Sequence, residues 1–313
     1  MAWRVATQAA AFGAAVFGLA AATALAQPPA GRPPIPMVQA EGLKAVSPHV
    51  QVIPDNSIPL TPNVGFVVGT KGVLVVDTGL GPRNGARVAE VATRLARGGQ
   101  VWLVTTHAHP EHDLGAQGFP ASTKLIRSKD QVADIADQGL RLAQMFAGRS
   151  PAIAELLKDA DFRPADVTFD REHVLDLGGV SAKIIAMGPN HTAGDTAVWV
   201  ASDKVLFSGD VSMKAQPSIM AAKSSVAQWM KSLAAFEALK PAVVVPSHGP
   251  IGDVGLAQGY RAYLKEVAER TGAAKALGAT LEAATATVTE AMVARYPDRM
   301  RLAGAVRIAY AGP

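Results

Sequence analysis

Cysteine is absent from the 313 residues of this chain. That excludes disulfides, thiolate metal ligands and a cysteine nucleophile at once. Aromatic residues are scarce, at 5%, and the formal net charge is a modest +4. No basic cluster interleaved with aromatics occurs, which argues against nucleic acid as a partner. Hydrophobic residues make up 49%, enough for a sizeable core in one large domain or two small ones.

What is present begins with a long apolar run at the N-terminus, "MAWRVATQAAAFGAAVFGLAAATALAQ". Arg4 precedes it, and Ala24-Leu25-Ala26 closes it with small residues. This is the pattern of a secretory signal, with cleavage expected after Ala26 and export to a bacterial periplasm or beyond. A membrane anchor is the competing reading; the many alanines and the small-residue end favour cleavage and no lasting membrane insertion. Residues 27–47 begin "QPPAGRPPIPM" and are read as a proline-rich extended linker. Residues 48–255 are then expected to form the main domain, and residues 256–313 a helical extension packed on it.

The coarse pattern along the main domain is mixed. "VQVIP", "NVGFVVG" and "GVLVVDTG" read as strands. Arg83 to Arg97 place Val88, Val91, Ala92 and Leu95 on one helical face. "VWLVTT" and "TKLIRS" read as strands, and Ser128 as the N-cap of a helix running to about Ala147. Strand signals return in "EHVLDLGG", "VSAKIIAMG", "DTAVWVAS" and "KVLFSGD". An amphipathic helix over Ser225 to Leu239 follows, then the strand "AVVVPSHGP". The tail from Gly255 reads as helix, with Tyr260, Tyr263, Leu264 and Val267 on one face. This order suggests two packed sheets with helices outside.

Five of the seven histidines, His107, His109, His112, His191 and His248, stand at the ends of expected strands. A lone histidine is more often a packing or surface residue, as His49 and His173 are taken to be. The run "THAHPEHDLG" is different: three histidines and two carboxylates fall within seven residues. In an extended chain His107 and His109 point the same way, an arrangement that suits zinc or a similar transition metal.

"HAHPEHD" resembles the H-x-H-x-D-H signature of the metallo-β-lactamase superfamily. "GVLVVDTG", "GPNHTAGDTAVWV", "VLFSGD" and "VVPSHG" resemble four further segments of that family, in its order. The resemblance covers residues 50 to 255. It implies an αββα sandwich of two mixed β-sheets with outer helices. It implies one metal held by His107, His109 and His191, a second held by Glu111, His112 and His248, and Asp210 bridging them. Asp77 is implied as a residue that orients the site. The implied activity is hydrolysis of a small substrate such as a β-lactam, lactone or ester, by water activated on one or two zinc ions, with Glu111 and Asp210 as the catalytic carboxylates.

One position departs from the pattern: the family has aspartate where this chain has Glu111. Either Glu111 keeps the same role, or its extra methylene weakens the second metal. Asp113 is adjacent to His112 and is expected to point away from it, in a structural role. Lys214 and Lys223 lie in a loop after Asp210, where they are read either as solvated or, for Lys214, as a ligand for a substrate carboxylate. Two other readings stay open: an iron-binding redox enzyme on the same fold, similar to sulfur dioxygenases, and a non-catalytic metal-binding protein.

Overall fold

The computed structural model describes residues 35–213 and 223–312. The expected leader, residues 27–34 of the linker and Lys214 lie outside them. Among the described residues, a first sheet takes its strands in chain order: β1 (Lys44–Ala45), β2 (Val50–Ile53), β3 (Val64–Val68), β4 (Gly72–Val76), β5 (Gln100–Val104), β6 (Lys124–Ser128) and β7 (Val167–Phe169). Pairing is antiparallel from β1 to β4 and parallel from β4 to β7. The second sheet holds β8 (Glu172–Asp176), β9 (Ser181–Gly188), β10 (Asp195–Val200), β11 (Val205–Gly209) and β12 (Val243–Pro246), each beside the next in chain order. Its β11–β12 pair is parallel and the others are antiparallel. Helices α1 (Pro82–Ala96), α2 (Pro110–Asp113), α3 (Lys129–Ala147) and α4 (Pro151–Leu156) punctuate the first half. Helices α5 (Val226–Leu239), α6 (Gly255–Ala276), α7 (Leu281–Met292) and α8 (Arg299–Ala311) belong to the second.

Strand alternation builds the layers, because successive side chains leave opposite faces. In β4, Val73 and Val75 join Val88, Val91 and Ala92 of α1 in an outer core, whereas Leu74 and Val76 face the second sheet. In β10, Val198 and Val200 answer them from across the interface, while Ala197 and Trp199 turn outward to α5 and α6. Helix, sheet, sheet and helix are therefore stacked in that order, the αββα sandwich of the sequence reading. The sheets approach so closely that a Cβ on Gly65 would stand 2.1 Å from the Phe207 ring. Only glycine fits there.

The strands expected from "VQVIP" through "AVVVPSHGP" all form, and Ser128 and Ser225 cap α3 and α5 by accepting from Gln131 N and Gln228 N. Residues 110–113 form a helical turn, because Pro110 at the first helical position presets its backbone. Two features differ from the sequence reading. The short β1 and β7 carry too few residues for a periodic signal. The tail is three helices, broken at Gly278 (φ +79°) and near Pro297. Tyr260, Tyr263, Leu264 and Val267 do share the buried face of α6, and they pack with Leu302 and Val306 of α8.

Candidate metal centre

The C-terminal ends of strands from both sheets converge at one edge of the sandwich. β4 delivers Asp77, β5 leads into Thr105–His107, β11 ends just before Asp210, and β12 leads into Ser247 and His248. α2 carries Glu111 and His112, and the bend between β9 and β10 carries His191. All seven residues singled out from the sequence are brought together. Their ligand atoms form three overlapping groups, each within 4.8 Å: His107–His109–His191, His107–His112–Asp210 and Glu111–His112–His248.

Hydrogen bonds to the outer nitrogen leave the other nitrogen of His107, His112 and His248 facing inward. Thr106 Oγ1 gives its single proton to Asp77 Oδ2 (3.0 Å), so it accepts from His107 Nδ1 (3.0 Å). The His107 Nε2 lone pair then faces His109 Nδ1 at 3.1 Å, and His191 Nε2 faces the same atom at 3.1 Å. His248 Nδ1 donates to the Thr61 carbonyl (3.2 Å), and His112 Nδ1 donates to Asp77 Oδ2 (2.9 Å). Their Nε2 atoms meet at 3.2 Å. Ring nitrogens at this range repel unless a proton or a metal cation stands between them. A tetrahedral zinc with Zn–N of about 2.0–2.1 Å spaces its nitrogens about 3.3–3.4 Å apart. The donor set therefore fits a transition metal of that size.

Charge follows the same logic. Burial, then the neighbouring imidazoles, hold His107 and His109 well below the ordinary histidine pKa, so both offer neutral nitrogen. Burial also opposes charge on His112, but Asp77, Glu111 and Asp210 outweigh it and raise His112 to about 9. A proton or a metal ion must therefore occupy the gap between His112 and His248, and the two compete. Burial pushes Asp210 up, yet His248, His191, His112 and His109 more than offset it and hold the carboxyl at about 2. Asp210 is thus a permanent anion, 3.5 Å from His191 Nε2. Glu111 Oε1 is 3.9 Å from His112 Nε2, and Glu111 Oε2 is buried with no hydrogen-bond partner. A buried, unsatisfied carboxylate oxygen is costly unless something outside the protein satisfies it.

Several supporting residues escaped the sequence reading. Asp195 accepts from the backbone of His191 (2.6 Å) and from Thr192 Oγ1 (2.7 Å), fixing the bend that presents His191; burial raises its pKa to about 6. Asn63 donates to the carbonyls of Pro246 and Gly249, and Asp55 accepts from Gly249 N, so the loop before β3 clamps His248. An aspartate four residues after a histidine was a readable signal. The clamp on His248 spans about 190 residues and was not. Asp113 does point away from the cluster, since consecutive residues of a helical turn diverge by about 100°. It is gripped by Arg127 Nε (3.0 Å) and Nη2 (2.6 Å) and by Thr105 Oγ1 (2.7 Å). Asp77 orients His112, the role implied for it. Lys223 is exposed and pairs with Asp137 at 2.7 Å. Of the two remaining histidines, His49 pairs with Asp203 (2.8 Å) at the β10–β11 turn, while His173 lies beside Phe169.

A pocket of about 630 Å³ opens onto the cluster, reaching His109, Glu111, His191, Asp210 and His248. Its other walls are apolar side chains such as Leu60 and Phe146, with Arg149 and Arg301 also present.

Comparison with known proteins agrees with this fold. Solved structures with the same fold include a metallo-beta-lactamase from Pontibacter korlensis, 22% identical, covering 71% of this chain and 98% of its own, with a TM-score of 0.53. A metallo-beta-lactamase family protein from Thermus thermophilus is 19% identical over 85% of this chain and 94% of its own, with a TM-score of 0.60. The stereoselective inverting sec-alkylsulfatase from Pseudomonas sp. is 16% identical over 86% of this chain but 49% of its own, with a TM-score of 0.63. At these identities the likeness is one of fold. No curated protein matches the chain. The family model of the metallo-beta-lactamase superfamily matches residues 58–248, well over half of the sequence, and the chain belongs to that superfamily.

Proposed function

We propose that this protein is an exported zinc-dependent hydrolase acting on a small substrate such as a β-lactam, lactone or ester. The observation that carries the reading is the convergence of ring nitrogens from His107, His109 and His191 beside a second group of Glu111, His112 and His248. The first group would hold one ion and the second another, with Asp210 between them. Zinc bound there would supply Lewis acidity and make water a nucleophile at neutral pH.

The chain's own residues do the rest. Asp77 keeps the proton of His112 on Nδ1, and the Thr61 carbonyl does the same for His248, so the inward nitrogens stay free to ligate. Glu111, whose Oε2 is buried without a hydrogen-bond partner, would be the proton acceptor at the reacting centre. Leu60, Phe146 and Met213 line the pocket, shielding the reacting group from solvent. The signal pattern of residues 1–26 supports export.

The reading is tested by metal analysis of natively purified protein beside a hydrolysis panel of β-lactams, lactones and aryl esters. Zinc with turnover of at least one class supports it. Iron in place of zinc, or no turnover by the fully loaded protein, contradicts it.

A further inference from the structure

We propose that Arg149 binds an anionic group of the substrate, so that the pocket selects small amphiphiles carrying one carboxylate or sulfonate-type anion on an apolar body. This rests on the hydrolytic reading of the same site and adds to it a substrate class.

The pocket is polarised. Its inner end holds the carboxylates Glu111 and Asp210 beside the histidines, and Asp55 is already engaged by Gly249 N and Ser57 N. Its outer wall holds Arg149, which follows the C-terminus of α3. The Arg149 guanidinium carbon stands 3.8 Å from the centroid of the Phe146 ring, and that ring is 5.8 Å from the ring of His109. Arg149 is therefore one aromatic ring away from the cluster. Among the described residues it makes no ion pair.

Stacking on Phe146 uses one face of the guanidinium and leaves its N–H edge available. A planar guanidinium held in this way is preorganised for bidentate contact with a carboxylate or sulfonate. Phe146 stands between Arg149 and His109, and Met145 also lines the pocket, so the substrate segment spanning the two is apolar. Arg301 of α8 also lines the pocket, but its Nε lies 3.3 Å from Asp298 Oδ2, which offsets its charge. With the scissile group on the ions at the inner end, the cationic outer wall is left to take the anion, across the apolar ring of Phe146.

The test uses the zinc-loaded full chain with Arg149→Met and Arg149→Lys. Two probes are hydrolysed, the monoanionic 4-nitrophenyl hydrogen glutarate and the neutral 4-nitrophenyl valerate. The proposal expects Arg149→Met to lower the preference for the anionic ester about tenfold, through KM rather than kcat, with partial rescue by lysine. Calorimetry reads binding without turnover, using 3-phenylpropane-1-sulfonate (a poor metal ligand) against 3-phenylpropan-1-ol. Arg149→Met is expected to weaken the sulfonate about tenfold relative to the alcohol. An unchanged ester preference together with unchanged sulfonate affinity overturns the assignment while leaving the hydrolytic reading intact. If neither ester turns over, the ester arm of the hydrolytic reading fails, and the sulfonate titration alone decides Arg149.

Discussion

Asp77 and His112 are joined at 2.9 Å, both essentially without solvent exposure, across 35 residues of sequence. Asp77 sits at φ +66°, a left-handed backbone that aspartate and asparagine tolerate better than most residues. Its carboxylate also receives Thr106 N (2.7 Å), Thr106 Oγ1 (3.0 Å) and Ser247 Oγ (3.1 Å). One side chain thus ties the ends of β4, β5 and β12 and sets the tautomer of His112.

Asp77→Asn keeps the backbone geometry but removes the charge. Residues that orient a metal ligand in this way typically contribute 10–100-fold to metal affinity. Chelator competition is expected to show at least about a tenfold loss for the weaker-bound metal, with far-ultraviolet circular dichroism unchanged. Affinity equal to that of the unaltered protein would rule out the orienting role.

Asp113 and Arg127 form a buried pair, with side-chain exposures of 0% and 2%. Removing one partner strands the other charge, which typically costs about 3–5 kcal/mol. Arg127→Met is expected to lower stability by that amount in urea unfolding. Replacing both, as Asp113→Leu with Arg127→Met, is expected to recover much of the loss. A single variant as stable as the parent would show that the pair is not what holds β6 to α2.

Strands β2 to β6, the whole second sheet, the helices α1, α3 and α5, and every histidine of the cluster were legible in the sequence, because period-two and 3.6-residue patterns and the motif spacing are local. What was not legible is the scaffold around the ligands. The Asn63 and Asp55 clamp on His248, the Arg127 grip on Asp113 and the stacking of Arg149 on Phe146 depend on tertiary approach or on side-chain geometry that no spacing rule encodes.

Asp203 is caught between burial, which raises its pKa, and stronger hydrogen bonds from Ser47 Oγ, His49 N, the His49 ring and Ser202 Oγ. The balance lowers it from 3.8 to about 2. A depressed carboxyl stabilises the fold above its ordinary pKa, and that stability is lost as pH falls through the folded value. Urea midpoints are therefore expected to fall between pH 4 and pH 2, with a shallower fall in Asp203→Asn. Identical slopes for both proteins would exclude Asp203 from the acid transition.

Trp229 is fully buried, donates to the Val211 carbonyl at 2.7 Å and stacks on Tyr260 with centroids 5.3 Å apart. It therefore links the segment after Asp210 to α6. Trp229→Phe leaves that carbonyl without its donor and is expected to cost about 1–3 kcal/mol, read by thermal unfolding. No loss would mean that the segment after Asp210 does not depend on this bond.

The central claim is that the stretch from His107 to His112 serves two metal sites, with Glu111 as the weak member of the second. Glutamate must fold back to ligate at about 2.0–2.2 Å and loses more rotamer freedom than aspartate in doing so. The decisive measurement is stepwise zinc titration by calorimetry of the unaltered protein, Glu111→Asp and Glu111→Ala. The account predicts two binding steps of unequal affinity, the weaker one strengthened in Glu111→Asp and weakened or lost in Glu111→Ala. Two steps of equal affinity that neither substitution changes would contradict it.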